Sequence, residues 1–335
     1  MKLNIPNNAT CAVIGYGSWA TAIVKLLCEK GQKVGWHIRN EEVAEGILTE
    51  GCNPKYLRDV EFDSSKLHIS SDINEIIAAH DIIILATPSA YLKDVLTPLT
   101  VSLLDKLVVS AIKGIIPGDF LTVVEFLNKK YDIPFSQIGI ITGPCHAEEV
   151  ALNHLSYLTV VCPDIELAHE IGSKVECKYI NINYSTDLYG VEYASVLKNI
   201  YAIAVGIAIG LGYGDNFLAV LIANSAREMN NFLKGCYPTS RDTRESAYLG
   251  DLLVTCYSAY SRNRRLGLLM GKGFTIKSAL NEMTMVSEGY FAADCIRHVN
   301  AKNNINMPIA SMVYDILYKG VRARKAMKQL SRELI

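Results

Sequence analysis

Ala12-Val13-Ile14-Gly15-Tyr16-Gly17-Ser18-Trp19-Ala20-Thr21-Ala22 is the stretch that decides the fold of this chain. Ala12 to Ile14 read as the end of a buried strand, two glycines follow, and residues 21–30 carry a helical period that stops at Gly31, a plausible C-cap. In such a strand, turn and helix the first glycine permits the tight turn and the second lets backbone approach a pyrophosphate. A small third residue, here Ala20, lets helix and strand pack closely. The N–H groups of Ser18 and Trp19 then point at the phosphates from a helix N-terminus. The bare spacing is weak evidence, but a strand before it and a helix after it make dinucleotide binding the expectation.

Outward from this turn, short apolar runs rich in β-branched residues alternate with segments of helical period, the pattern of a parallel sheet covered by helices. Strands are expected at residues 11–15, 33–38, 81–87, 106–110, 137–142, 158–162 and 179–182. Beyond about residue 184 the strand signal fades, and helices are expected at 188–208, 216–231, 250–260, 263–270, 275–283, 288–299 and 309–318. The fold class is therefore α/β. A Rossmann-type doubly wound parallel sheet in a nucleotide-binding domain, residues 1–184, precedes an all-helical domain, residues 185–335, with the site expected between them.

Composition removes other classes. With 335 residues, 50% of them hydrophobic and 20% charged, the chain has ample material for packed domains, and disorder drops out. A net charge of -1 provides no general field for nucleic acid or an anionic membrane, so an anionic ligand needs a local basic cluster. The nine cysteines show no metal-ligand spacing and read as reduced thiols of a cytoplasmic protein. Residues 1–10 lack the apolar core of a signal peptide, and the apolar run 200–211 is too short to span a bilayer and reads as a buried helix. No membrane insertion and no nucleic-acid partner are expected.

At the tip of the second strand, where NAD enzymes usually offer an acid to the adenosine ribose, the sequence reads Trp36-His37-Ile38-Arg39-Asn40. Arg39 is placed to meet a 2′-phosphate, which favours NADPH, while Glu41 and Glu42 keep NAD open; the alternative for Arg39 is a solvated loop. Lys113 follows a buried strand at the sheet edge where such folds bind ligands, as substrate contact or solvated loop charge. Cys145 reads as a small lining residue, and His146, Glu148 and Glu149 lack a second ligand pair, so no metal is expected. Lys198 on an apolar helix either snorkels outward or faces a polar cleft, with Asp251 as a candidate partner. Arg262 and Asn263 at a helix start suit a phosphate, against the reading of a solvated basic face.

Taken together, Gly15 to Ala22, Ala111-Ile112-Lys113-Gly114, Gly143-Pro144-Cys145-His146-Ala147-Glu148-Glu149-Val150, Leu197-Lys198-Asn199, Gly210 to Asn216, Gly250-Asp251-Leu252, Ser261-Arg262-Asn263-Arg264 and Glu288-Gly289-Tyr290 closely resemble the NAD(P)-dependent glycerol-3-phosphate dehydrogenases of the bacterial, cytoplasmic type. The resemblance runs in order over almost the whole chain. It implies reversible reduction of dihydroxyacetone phosphate to sn-glycerol 3-phosphate, feeding phospholipid synthesis. It also implies Lys198 as proton donor and acceptor, and Lys113, Gly143, Cys145, Lys198, Asp251, Ser261, Arg262 and Asn263 as substrate positions. The cofactor positions it implies are Ser18, Trp19, Arg39, Lys113, Ala147, Arg262, Val286 and Glu288, beside Gly15 and Gly17 of the turn.

Three departures stand out. Cys145 replaces the usual serine, Ile209 replaces the usual aspartate before Gly210, and Ala223-Asn224-Ser225 stands where Thr-Arg-Gly is common. Competing readings are a two-domain dehydrogenase of a hydroxy or sugar acid and a dinucleotide-binding sensor without catalysis. Retention of Lys198 with Asp251 argues against the sensor. Apolar surface on residues 309–318 permits a homodimer.

Overall fold

The computed structural model describes residues 3, 5, 6, 8–283 and 285–335, so the polar segment 1–10 lies partly outside the described residues. Its strands are β1 (Cys11–Ile14), β2 (Val34–His37), β3 (Leu67–Ser70), β4 (Ile82–Leu85), β5 (Leu107–Ser110), β6 (Ile115–Ile116), β7 (Leu121–Thr122), β8 (Ile138–Thr142), β9 (Ser156–Val161) and β10 (Ile180–Ser185). Eight of them form one sheet in the order β10-β9-β8-β5-β4-β1-β2-β3, while β6 and β7 pair separately. Strands β1, β2, β4 and β5 are only four residues long and buried throughout, as strands covered by helices on both faces must be.

From β1 the chain moves outward through β2 and β3, then returns to build β4 and β5 on the other side. The crevice at the carboxyl ends of β1 and β4 is thus a topological switch point, where open α/β sheets bind ligands. Gly15 sits there with φ +123°, and an added Cβ would come within 2.6 Å of the Ala86 carbonyl oxygen.

Several features depart from the sequence reading. Strand β3 is absent from it because Leu67-His68-Ile69-Ser70 is an edge strand, half-buried throughout and without an apolar run. The sheet is also not wholly parallel, because β9 runs antiparallel to β8. A helix at Ala323–Leu330 went unread as well, since only Ala326, Met327 and Leu330 of its eight residues are buried.

The chain divides into two compact units. The first contains residues 1–112 and 123–188, and the second residues 113–122 and 189–335. In the first, Val13, Ile23, Leu27, Trp36, Ile84 and Val109 belong to one apolar core that joins the sheet to the helix Ser18–Glu29.

The second unit is organised by the 23-residue helix Leu188–Gly210. By length and composition this helix could cross a membrane, yet 89% of its most apolar window is buried inside the protein, as a core helix is. It crosses the helix Arg262–Gly271 at unusually close range, with glycines on both sides. A Cβ on Gly206 would lie 2.0 Å from the Arg264 carbonyl oxygen, and one on Gly267 would lie 2.1 Å from that of Ile203. Backbone therefore touches backbone, and the start of the second helix is pinned beside the middle of the first. Across the same unit, the buried Glu228 carboxylate accepts from the N–H groups of Ile309 (2.8 Å) and Ala310 (3.0 Å), anchoring the start of the helix Pro308–Tyr318.

Gly267→Ala tests the crossing. Helix propensity alone would favour alanine by roughly 1 kcal/mol, but the clash outweighs it, and we expect a net loss of about 2 kcal/mol in urea unfolding. A variant as stable as the parent would show that the two helices can separate at no cost.

Candidate active site

At the nucleotide turn the residues fit the group that the motif implies. Gly17 precedes the helix Ser18–Glu29, and a Cβ there would meet nothing within 4 Å, so the space in front of the turn is open. The first turn of that helix carries no acidic residue, and its N-cap offers no side chain to the free N–H groups. The helix at Glu41–Glu50, by contrast, is capped by Asn40 and opens with Glu41 and Glu42. Among the described residues, the buried Trp19 indole N–H and Thr87 hydroxyl also have no hydrogen-bond partner. A pyrophosphate would supply the acceptor charge that this helix start lacks. Arg39 stands exposed just past β2 with no ion pair among the described residues.

The reactive chemistry is concentrated in the second unit. Lys198 lies mid-way along Leu188–Gly210, one of the few charges in an apolar helix, and is 4% exposed. Asp251, 1% exposed, begins the helix Asp251–Tyr257 immediately after a π-helical turn, Ser246–Gly250. The Lys198 ammonium donates to Asp251 Oδ1 in a short hydrogen bond, and the Lys113 ammonium lies 3.1 Å from Oδ2. Lys198 therefore faces a polar partner and does not snorkel. One carboxylate serves two ammonium groups.

That imbalance sets the protonation states. Burial is the largest influence, the attraction of Asp251 opposes it, and the neighbouring Lys113 charge adds to it; together they bring the Lys198 ammonium down to about 7. For Asp251, burial is the largest single influence and acts upward. The two ammonium groups and their hydrogen bonds together outweigh it and hold the carboxyl below its ordinary value. Asp251 stays ionised while Lys198 becomes a group that can exchange a proton near neutrality.

Lys113 reaches this pair because its segment goes with the second unit. It leads into the β6–β7 pair, whose Phe120 ring stacks on His298 of the helix Glu288–Asn303, centroids 3.9 Å apart. The Lys113 carbonyl is held by the Asn199 amide at 2.7 Å. Asn199 in turn accepts from Asn263 Nδ2 at 2.8 Å, and Asn263 Oδ1 accepts from the Ser287 hydroxyl (2.7 Å) and the Gly289 N–H (2.9 Å). Four chain segments are thus tied by one buried line of amides. Asn199 and Ser287 were not singled out from the sequence, although Asn199 stands beside Lys198 in the motif; a buried polar residue next to a buried charge was the available signal.

The other expected positions fall as follows. Ser261 is the N-cap of Arg262–Gly271 and accepts from Arg264 N at 3.2 Å, with Arg262 half-buried in the first turn. Val286 and Glu288 are half-buried on either side of Ser287. In the first unit, Gly143 directly follows β8 with φ +112°, and half-buried Cys145 and then Ala147, at the start of a five-residue helix, come after it. None of the nine cysteines is in a disulfide.

Comparison with known proteins matches two family profiles. The profile of the NAD-dependent glycerol-3-phosphate dehydrogenase N-terminus matches residues 10–168, and that of the C-terminus matches residues 187–328. A glycerol-3-phosphate dehydrogenase, NAD(P)+, of Staphylococcus carnosus is 32% identical over 321 residues, covering 95% of this chain and 96% of that protein. One from Pseudomonas aeruginosa is 33% identical, covering 96% and 94%. The crystal structure of glycerol-3-phosphate dehydrogenase from Coxiella burnetii aligns with a TM-score of 0.89 at 28% identity, covering 97% of this chain and 99% of that one.

Asp251→Asn leaves the buried Lys198 ammonium and the half-buried Lys113 ammonium without their shared carboxylate. We expect a loss of about 3 kcal/mol in urea unfolding, part of which returns when Lys198→Met is added. A single variant as stable as the parent would show that the carboxylate is dispensable.

Proposed function

The chain belongs to the NAD-dependent glycerol-3-phosphate dehydrogenase family, and on that premise we propose that Lys198 moves the proton in the family's reaction. The protein is an oxidoreductase that interconverts dihydroxyacetone phosphate and sn-glycerol 3-phosphate with NADP or NAD, a reaction that supplies glycerophospholipid synthesis. The observation carrying the assignment of Lys198 is its burial against Asp251 with Lys113 on the same carboxylate.

When bound, the nicotinamide donates or accepts the hydride. Gly15, Gly17, Ser18 and Trp19 would hold the pyrophosphate, and Ala147, Arg262, Val286 and Glu288 complete the cofactor set we propose. Arg39 favours a 2′-phosphate and hence NADPH. As hydride reaches the substrate's carbonyl carbon, negative charge grows on its oxygen. Lys198 places a preorganised ammonium at that oxygen, stabilises the charge and gives up its proton; Lys113 adds a second positive charge. In the reverse direction, neutral Lys198 accepts the hydroxyl proton. Asp251 never leaves its charged state and keeps the amine oriented.

Arg262 and the N–H groups of its helix start would grip the substrate phosphate, with Ser261, Gly143 and Cys145 as further contacts. Asn263 holds this end of the site through its bond to Asn199. Phosphate binding orients a carbonyl some distance from the grip, which turns binding energy into rate. We assign residues 1–184 to the nucleotide and 185–335 to substrate and catalysis. A cytoplasmic location suits nine cysteines outside any disulfide; Ile309, Met312, Val313, Ile316 and Leu317 of the helix Pro308–Tyr318 are buried within the chain, so that helix does not offer the apolar face expected for a homodimer.

Reduction of dihydroxyacetone phosphate, followed at the nicotinamide absorbance with NADH and NADPH in parallel, should proceed with NADPH preferred. Lys198→Ala should lower kcat by about 10³-fold while cofactor affinity stays within twofold. Near-parental turnover in that variant would remove Lys198 from the chemistry.

A further inference from the structure

Three successive carbonyls of the nucleotide turn are each held from inside the protein. The Trp36 indole donates to Gly15 O at 2.7 Å. Asn53 Nδ2 donates to Tyr16 O at 3.0 Å. Gly17 O accepts from the Thr21 N–H (2.9 Å) and the Thr21 hydroxyl (3.0 Å). A peptide group is planar and trans, so fixing a carbonyl on one side aims the N–H of the next residue to the other. Pinning these three carbonyls therefore aims the N–H groups of Tyr16, Gly17 and Ser18 away from the core. A Cβ on Gly17 would meet nothing within 4 Å, so the protein leaves room beside the turn.

Asn53 is the keystone of this arrangement. It comes from the segment after the helix Glu41–Glu50 and is fully buried. Its second amide proton goes to the Thr21 hydroxyl at 2.9 Å, so it touches two of the three clamps. Its Oδ1 accepts from the N–H groups of Lys55 (3.0 Å) and Tyr56 (3.1 Å), which fold its own loop. Two donors and two acceptors on one small planar group are all used, which only a carboxamide side chain can do.

We propose that Asn53 is a positioning residue for the dinucleotide: it holds the Tyr16–Gly17 peptide and the Thr21 hydroxyl so that the turn's N–H groups face the pyrophosphate before any ligand arrives. Without it the Tyr16 carbonyl loses its buried partner and the peptide is free to rotate, so binding must first reorder the turn. Asn53 touches no reacting atom, and its effect falls on cofactor affinity alone.

The full-length protein offers a direct readout, because its two tryptophans, Trp19 and Trp36, both flank the turn. Titration of their fluorescence with NADPH should show Kd raised at least tenfold in Asn53→Ala and several-fold in Thr21→Val, with Thr21→Ser close to the parent. The KM for cofactor should rise in step, while kcat at saturating cofactor and the KM for dihydroxyacetone phosphate stay within twofold. A purely structural role would lower Tm and leave the Kd of folded protein unchanged. A Kd within twofold of the parent in folded Asn53→Ala overturns the proposal. Should Asn53→Ala not fold, Thr21→Val decides in the same way, a Kd within twofold overturning it.

Discussion

One buried carboxylate facing two ammonium groups is the interaction on which the second unit depends. Removing a charge from water is costly, and Lys198, Lys113 and Asp251 together leave one positive charge in excess when all are ionised. The protein tolerates this because the excess is transferable: Lys198 can shed its proton near neutrality. Dehydrogenation requires that same property of a group at the carbinol oxygen. Stability and chemistry thus meet in one place, and the surrounding architecture serves to keep the three side chains together. The glycine-lined crossing of Leu188–Gly210 with Arg262–Gly271 brings backbones into contact, and the amide line from Lys113 through Asn199 and Asn263 to Ser287 fixes the remaining segments around it.

The nucleotide turn solves a related problem by a different route. Its ligand is an anion, so the protein must present N–H groups outward from a backbone whose carbonyls would otherwise compete for the same space. Gly15 is required where β4 approaches too closely for a side chain, and Trp36, Asn53 and Thr21 occupy the carbonyls. Both regions are therefore ordered by networks of polar side chains, most of them buried.

Much of this was legible in the sequence because it rests on local patterns. The turn is a contiguous motif, the central strands are apolar runs, and Lys198 stands out as one of the few charges in an apolar helix. What escaped depends on contacts between distant segments. Strand β3 gains its place by pairing with β2 and carries no run of its own. The reversal of β9 against β8 follows from chain direction, which periodicity does not encode. Asn53 is an ordinary loop residue until the fold sets it against Tyr16 and Thr21, and Asn199 and Asn263, 64 positions apart, join only when their helices cross. Lys113 does follow the carboxyl end of β5, as read, but the grouping of its segment with the second unit carries no local signal.

The pH dependence of kcat/KM for dihydroxyacetone phosphate reduction tests the central claim most directly, since it reports the ionisation of the free enzyme. With Lys198 as the proposed proton donor, reduction needs the protonated amine, so the parameter should be level in mild acid and fall as pH rises through about 7, where Lys198 loses its proton. Oxidation of glycerol 3-phosphate, which uses the neutral amine, should show the opposite slope through the same region. Profiles that stay flat up to pH 9 in both directions would contradict a buried Lys198 held near neutrality by Lys113 and Asp251.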